Sequence, residues 1–289
     1  MAEVDLKQIQ KVELLILEQI KTICEKHKIK YFADSGTLLG IVRNNSFIPW
    51  DNDIDLVMLR KDYQKFKKIA KKELQYPYYL QTGYRDKGFF SGLIKIRKSD
   101  TTAILKSQLG KRHYNQGVFL DIFPLDNVIK NKKLQKLQLR VIFQLKKILF
   151  FRSTKSFAEL YQNFFIKLIL IIFSPLIFVL PQSFFYWLFD ITGRWGNLKK
   201  TKYVDKVLFR GYYKQNKCKS IPAECYKDVI QTKFEDTTIN IPVSSEKILT
   251  EFYGPDYLVP RQEPDSHGEI FFDLNNSYTK YLSHELEIE

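Results

Sequence analysis

Trp50-Asp51-Asn52-Asp53-Ile54-Asp55-Leu56 is the densest polar run in the chain. Asp51, Asp53 and Asp55 alternate along it. In an extended backbone alternate side chains share a face, so the three carboxylates stand together. Like charges held that close repel one another, and a divalent cation between them removes the conflict. Carboxylate oxygens with water suit Mg²⁺ or Mn²⁺, and phosphates commonly complete the shell. A solvated acidic turn ahead of a strand is the plainer account of the same run, so its neighbours have to decide.

Ile54 to Met58 reads as a strand, introduced by Pro49-Trp50. Upstream, residues 5–28 predict an amphipathic helix, because Ile9, Val12, Ile16, Ile20 and Ile23 recur at helical spacing between Lys and Glu. Ile29 to Ala33 then reads as a strand. Asp34-Ser35-Gly36-Thr37 breaks it, and a short helix follows through Leu38, Leu39 and Val42 to the turn Asn44-Asn45-Ser46. Backbone N–H groups at such a Gly turn can hold a phosphate. Downstream, Lys61 to Leu74 predicts a second amphipathic helix on Tyr63, Phe66, Ile69 and Ala70. Leu93 to Ile96 and Thr101 to Leu105 read as strands, joined as a hairpin around Lys98-Ser99-Asp100.

Val118 to Phe123 is an almost wholly apolar strand, interrupted by Asp121. A carboxylate among such neighbours is costly to bury unless it is paired or binds metal. The alternative is an edge strand that turns Asp121 to solvent. Arg43, Lys95 and Arg97 lie close in sequence and can neutralise phosphate charge. Strand, Gly turn, carboxylates on the next strand and a third carboxylate later form a template for in-line phosphoryl transfer. The expected fold class is α+β: a nucleotidyltransferase-like mixed sheet flanked by helices, with a helical, basic and apolar second subdomain.

The chain has 289 residues, and 45% apolar content supports a sizeable core and excludes general disorder. Its 46 Lys and Arg outnumber 32 Asp and Glu, which points to an anionic partner. Three cysteines (Cys24, Cys218, Cys225) are too few for a disulfide framework and lack zinc spacing; they read as packing thiols in a reducing cytosol. Met1 to Lys11 is charged and carries no apolar run of the secretory kind. Residues 130–155 hold nine basic residues and no acid, on a helical stripe of Leu134, Leu137, Val141, Leu145 and Ile148. Leu168 to Phe189 is an uncharged stretch of 22 residues, long enough for a bilayer, but Pro175 and Pro181 interrupt it. Two short helices, roughly 158–173 and 182–193, are expected, packed on a core or dipping into a membrane interface. No helix-turn-helix, RNA-recognition signature or zinc finger is present, so nucleic acid is not the expected partner. The expected division is a catalytic core over 1–128, a helical basic and apolar subdomain over 129–235, and a C-terminal segment over 236–289 that packs back on the core.

The run Ser35-Gly36-Thr37-Leu38-Leu39-Gly40-Ile41-Val42-Arg43 with Phe47-Ile48-Pro49-Trp50-Asp51-Asn52-Asp53-Ile54-Asp55 strongly resembles the LicD family of phosphorylcholine transferases. Gly117-Val118-Phe119-Leu120-Asp121-Ile122-Phe123-Pro124-Leu125-Asp126 matches a second hallmark. Tyr253-Gly254-Pro255-Asp256-Tyr257, with Pro260 and His267, is similar to the family's C-terminal block. The middle, 130–230, departs most, and Asn52 replaces an acid common in the family.

The resemblance implies Asp53 and Asp55 as principal Mg²⁺ or Mn²⁺ ligands, with Asp51 assisting. Asp121 would be a further ligand or the general base. Ser35, Gly36 and Thr37 would meet the donor phosphates, Arg43 and Lys95 would neutralise the leaving group, and His267 would cover the site. His113, ahead of the Asp121 strand, is structural or at the substrate's edge. The reaction implied is transfer of phosphocholine, or a related phospho-alcohol, from a CDP-linked donor to a hydroxyl of a cell-surface glycan or teichoic-acid-like precursor, releasing CMP. The expected partners are a CDP-choline-like donor, a glycan or lipid-linked glycan acceptor and an anionic membrane surface. The expected place is the cytoplasm, peripheral on the inner face of the cell membrane. A small-molecule nucleotidyltransferase, or a non-catalytic lipid- or polymer-binding relative, is the alternative.

Overall fold

A computed structural model describes residues 4–154, 178–199, 201–212, 214–215, 217–260 and 268–282. In chain order the helices are α1 (Leu6–His27), α2 (Ser35–Asn44), α3 (Arg60–Glu73), α4 (Lys132–Thr154), α5 (Gln182–Gly193), α6 (Val207–Tyr212) and α7 (Ser245–Tyr253). The strands are β1 (Phe32–Ala33), β2 (Asp55–Leu59), β3 (Tyr78–Gln81), β4 (Ile94–Lys98), β5 (Thr102–Leu105) and β6 (Val118–Asn127). After them come β7 (Tyr203–Asp205), β8 (Ile221–Pro222), β9 (Val229–Phe234), β10 (Thr237–Pro242) and β11 (Ile270–Asp273). The class is mixed α/β. The chain divides into two compact units, one of residues 1–81, 94–125 and 221–289, the other of 82–93 and 126–220.

The first unit is built on a sheet ordered β1-β2-β6-β4-β3. Only the β2–β6 pair is parallel; the others are antiparallel. β6 is central rather than an edge, which disposes of the solvent-facing alternative for Asp121. It also runs further than its apolar stretch suggests, through Pro124 to Asn127. Proline lacks an N–H, but β4 pairs with β6 only from Val118 to Ile122, so Pro124 lies beyond that ladder. The expected hairpin from β4 to β5 does not form. β5 leaves the sheet and pairs with β11, Ile270 opposite Leu105 and Asp273 opposite Thr102. The β4 partner is instead β3, whose Tyr78-Tyr79-Leu80-Gln81 lies just after Pro77 and is too short for a clear period. The strand expected over Ile29 to Ala33 shrinks to Phe32–Ala33.

α1 forms as its period predicts. Asp5 caps it by accepting from the Lys7 N–H at 3.1 Å, and Lys28 ends it in the left-handed region. Its buried face carries Ile9, Ile16, Leu17, Ile20 and Ile23, with Gln10 and Glu13 buried among them. In α2, Gly40 lets the loop of residues 46–48 lie against the helix: a Cβ there would stand 2.4 Å from the Ser46 carbonyl oxygen and 2.9 Å from the Ile48 nitrogen. Both are backbone atoms that cannot swing aside. Gly40→Ala should therefore cost about 1–3 kcal/mol of stability, read in urea melts; an unchanged melt would contradict this packing. Glu235, at the β9–β10 turn, holds the same loop, accepting from the Ser46 hydroxyl and, at 3.0 Å, from the Phe47 N–H.

In the second unit α4, α5 and α6 bury Leu139, Ile142, Leu149, Phe189, Val207 and Leu208 together. Asp126 and Asn127, the end of β6, pair with Asp205 and Val204 of β7. Asp205 receives a bidentate Arg210 at 2.9 and 3.2 Å. α5 falls where the second apolar helix is expected; the first, 158–173, lies outside the described residues. Among the described residues no helix is long and apolar enough to cross a membrane. All three cysteines are free and buried, and burial pushes the Cys218 thiol up to about 12.

Candidate active site

Strand register assembles the centre. Asp55 of β2 stands opposite Asp121 of β6, and Asp121 stands opposite Lys95 of β4. Directly paired residues present their side chains on one face, so the sheet carries a row of carboxylate, carboxylate and ammonium. Lys95 Nζ donates to both Asp121 oxygens, at 2.6 and 2.8 Å, and lies 3.3 Å from the centre of the Phe119 ring. Both members of the pair are largely buried, at 15% and 12% side-chain exposure. Withdrawal from water pulls the Lys95 ammonium below its ordinary value, and the Asp121 charge opposes that pull.

Asp51 and Asp53 come off the loop that leads into β2. Gln10 of α1 donates to the Asp51 carbonyl at 2.9 Å, and the Asp51 N–H bonds the Ile48 carbonyl at 2.9 Å. The Asp51 carboxylate lies against the first turn of α2, where a Cβ on Gly36 would stand 2.5 Å from its Oδ2. Glycine is required there by that close approach. A helix N-terminus favours the negative charge that Asp51 brings. Gly36→Ala should displace this carboxylate and lower turnover roughly 10–100-fold, by analogy with lost supporting contacts at metal sites, with little change in melting. Steady-state kinetics beside a melt would check it; full activity would show that Asp51 need not lie there.

The acids press on one another. Withdrawal from water holds the half-buried Asp53 well above the usual carboxylate range, helped by the charges of Asp51 and Asp121 and a side-chain hydrogen bond with Asp51. Glu13 of α1, at 2% exposure, is pushed up likewise: first by burial, then by Asp53, Asp51, Asp121 and Asp55. Its Oε2 has no hydrogen-bond partner among the described residues. Such a congested set has the chemistry of a hard-cation site. Among the described residues, however, no three His, Cys, Asp or Glu side chains converge as a ready-made metal shell.

A family profile described as LicD/FKTN/FKRP, nucleotidyltransferase domain, matches residues 28–156, which span β1, α2, β2, β4 and β6. The lipopolysaccharide cholinephosphotransferase LicD of Haemophilus influenzae is 29% identical over 277 residues, 93% of this chain and 98% of that protein. The chain carries a LicD-family domain over residues 28–156. It is thereby an enzyme of the phosphotransferase kind. An uncharacterized protein of Rickettsia typhi is 36% identical over 72 residues, 25% of this chain and 21% of its own length. One of Rickettsia prowazekii is 33% identical over 69 residues, 24% of each chain.

In this LicD-like chain the other residues expected to contact the donor also make bonds within the protein. The Thr37 hydroxyl is buried and accepts from the Asp55 N–H at 2.9 Å, so it fixes the start of β2. The Ser35 hydroxyl donates to Asp34 at 3.0 Å, and Ser35 itself takes a left-handed φ of 50°. The Arg43 guanidinium donates to the Tyr257 carbonyl and, at 2.9 Å, to the Val259 carbonyl. Arg43 thus joins the first LicD block to the C-terminal one. Arg97 is buried and bonds Gln81 at 2.6 Å and the Gly117 carbonyl at 2.6 Å. His113 is exposed in the loop before β6, and His267 lies outside the described residues. Sequence reading passed over Glu13. The signal was present: Glu13 sits four residues after Ile9 and three before Ile16, inside the apolar stripe.

The second unit holds a cavity of about 580 Å³ lined by Lys136, Arg140, Phe143, Lys147 and Lys214 among others. Four cations and no acid give its lining a positive potential. Trp187, Trp195 and Leu198 of the same unit are exposed.

Proposed function

We propose that this chain transfers phosphocholine, or a related phospho-alcohol, from a CDP-linked donor to a hydroxyl of a lipopolysaccharide-type glycan, with CMP as the leaving group. The observation that carries the proposal is the row Asp55–Asp121–Lys95, flanked by Asp51 and Asp53. The lipopolysaccharide cholinephosphotransferase activity for which the Haemophilus influenzae relative is named supports the phosphocholine and the acceptor class.

Asp51, Asp53 and Asp55 would hold Mg²⁺ or Mn²⁺. When bound, that ion would neutralise the donor's pyrophosphate oxygens. Asp121 takes the proton of the acceptor hydroxyl. The acceptor oxygen then bonds to the phosphorus that bears choline, the bond from that phosphorus to CMP breaks, and CMP leaves with the electron pair. Lys95, donating to both of its oxygens, keeps Asp121 aimed. The basic cavity of the second unit suits an anionic acceptor, and exposed Trp187 and Trp195 suit a membrane interface on the cytoplasmic side.

Incubation with CDP-choline, Mg²⁺ and a lipopolysaccharide acceptor tests the proposal by mass spectrometry. Free CMP and a phosphocholine-modified acceptor are expected. A CMP-modified acceptor with free phosphocholine would make the enzyme a nucleotidyltransferase instead. Flotation should show binding to vesicles with anionic lipid and little to neutral ones; no binding to either would remove the membrane partner.

A further inference from the structure

Glu13 is expensive where it stands. It lies at 2% exposure on a helix face otherwise filled by Ile9, Ile16, Leu17 and Ile20. Its Oε2 meets no donor among the described residues, and a buried carboxylate oxygen left without one is strongly unfavourable. Packing does not need it, since a leucine would fill the stripe at lower cost. The face is also located. Gln10, one turn earlier, is buried and donates to the Asp51 carbonyl at 2.9 Å, so this side of α1 lies on the acid loop. The charges of Asp51, Asp53, Asp55 and Asp121 all bear on Glu13. A buried acceptor without a donor, on the helix face that meets the acid loop and under the charges of four acids, has the chemistry of a cation ligand.

We propose that Glu13 is a positioning residue of the cation site, giving its free carboxylate oxygen to the dication directly or through a bound water. This rests on the metal-dependent account above, and it adds a ligand-bearing helix to a site otherwise made of sheet and loop. α1 would then be locked to the core by the metal, not only by its apolar stripe.

The test uses the full chain stripped of metal. Free Mn²⁺ is followed by electron paramagnetic resonance during titration, and melting is recorded with and without Mn²⁺, both in the presence of CDP-choline. Wild type should bind Mn²⁺ and gain stability from it. E13Q should bind about tenfold more weakly or worse, with a smaller Mn²⁺-dependent gain, while its metal-free melt holds or rises. A merely structural Glu13 would lower the metal-free melt on replacement and leave Mn²⁺ affinity alone. Should E13Q fail to fold, E13M, of similar length and uncharged, carries the same expectation. Mn²⁺ affinity within twofold of wild type in the folded variant overturns the role of Glu13 and leaves the metal-dependent account standing. No Mn²⁺ binding by wild type overturns both.

Discussion

Asp53→Asn should lower turnover by roughly three orders of magnitude or more, the scale on which removing a charge-stabilising group at a phosphoryl-transfer centre acts. Its melting temperature should not fall. The amide keeps the shape of the carboxylate and removes one charge from a cluster in which Asp51 and Asp121 already raise the cost of ionising it. The two readouts must part company, with activity lost and fold kept. Turnover within tenfold of wild type would show that chemistry happens elsewhere. Lost activity with a collapsed melt would show Asp53 to be a structural acid.

Asp121→Asn should fail differently. It leaves the largely buried Lys95 ammonium without its counter-charge, and breaking a buried pair from one side costs about 3–5 kcal/mol. Activity and stability should therefore fall together. Adding Lys95→Met should restore much of the stability, because an apolar side chain over the Phe119 ring tolerates burial, and should restore none of the activity. Urea unfolding of the two single variants and the double variant measures the coupling. Additive losses would mean that the pair seen between β4 and β6 carries no energy.

Much of this centre was legible in the chain. Alternation made Asp51, Asp53 and Asp55 neighbours, and the apolar context of Asp121 marked it as a paired or ligating acid. Their meeting depends on the parallel register of β2 with β6, a long-range choice that no local period encodes. The same limit explains β5. Its apolar run suits any sheet edge, and the partner it takes, β11, lies more than 160 residues away. The family resemblance implies Thr37 as a donor-phosphate contact and Arg43 as a neutraliser of the leaving group. In the fold the Thr37 hydroxyl accepts from the Asp55 N–H and fixes the start of β2, while Arg43 donates to the carbonyls of Tyr257 and Val259 and ties down the C-terminal block; both are long-range contacts that no local period encodes. Glu13 escaped because a charged residue inside an apolar helical stripe is easily taken for a gap in the pattern.

The most direct measurement is an anomalous difference map from crystals grown with Mn²⁺ and CDP-choline, recorded at the manganese edge. A peak bounded by Asp51, Asp53 and Asp55 and shared with the donor's phosphates is the predicted result. A donor bound at these residues with no anomalous peak would contradict the account.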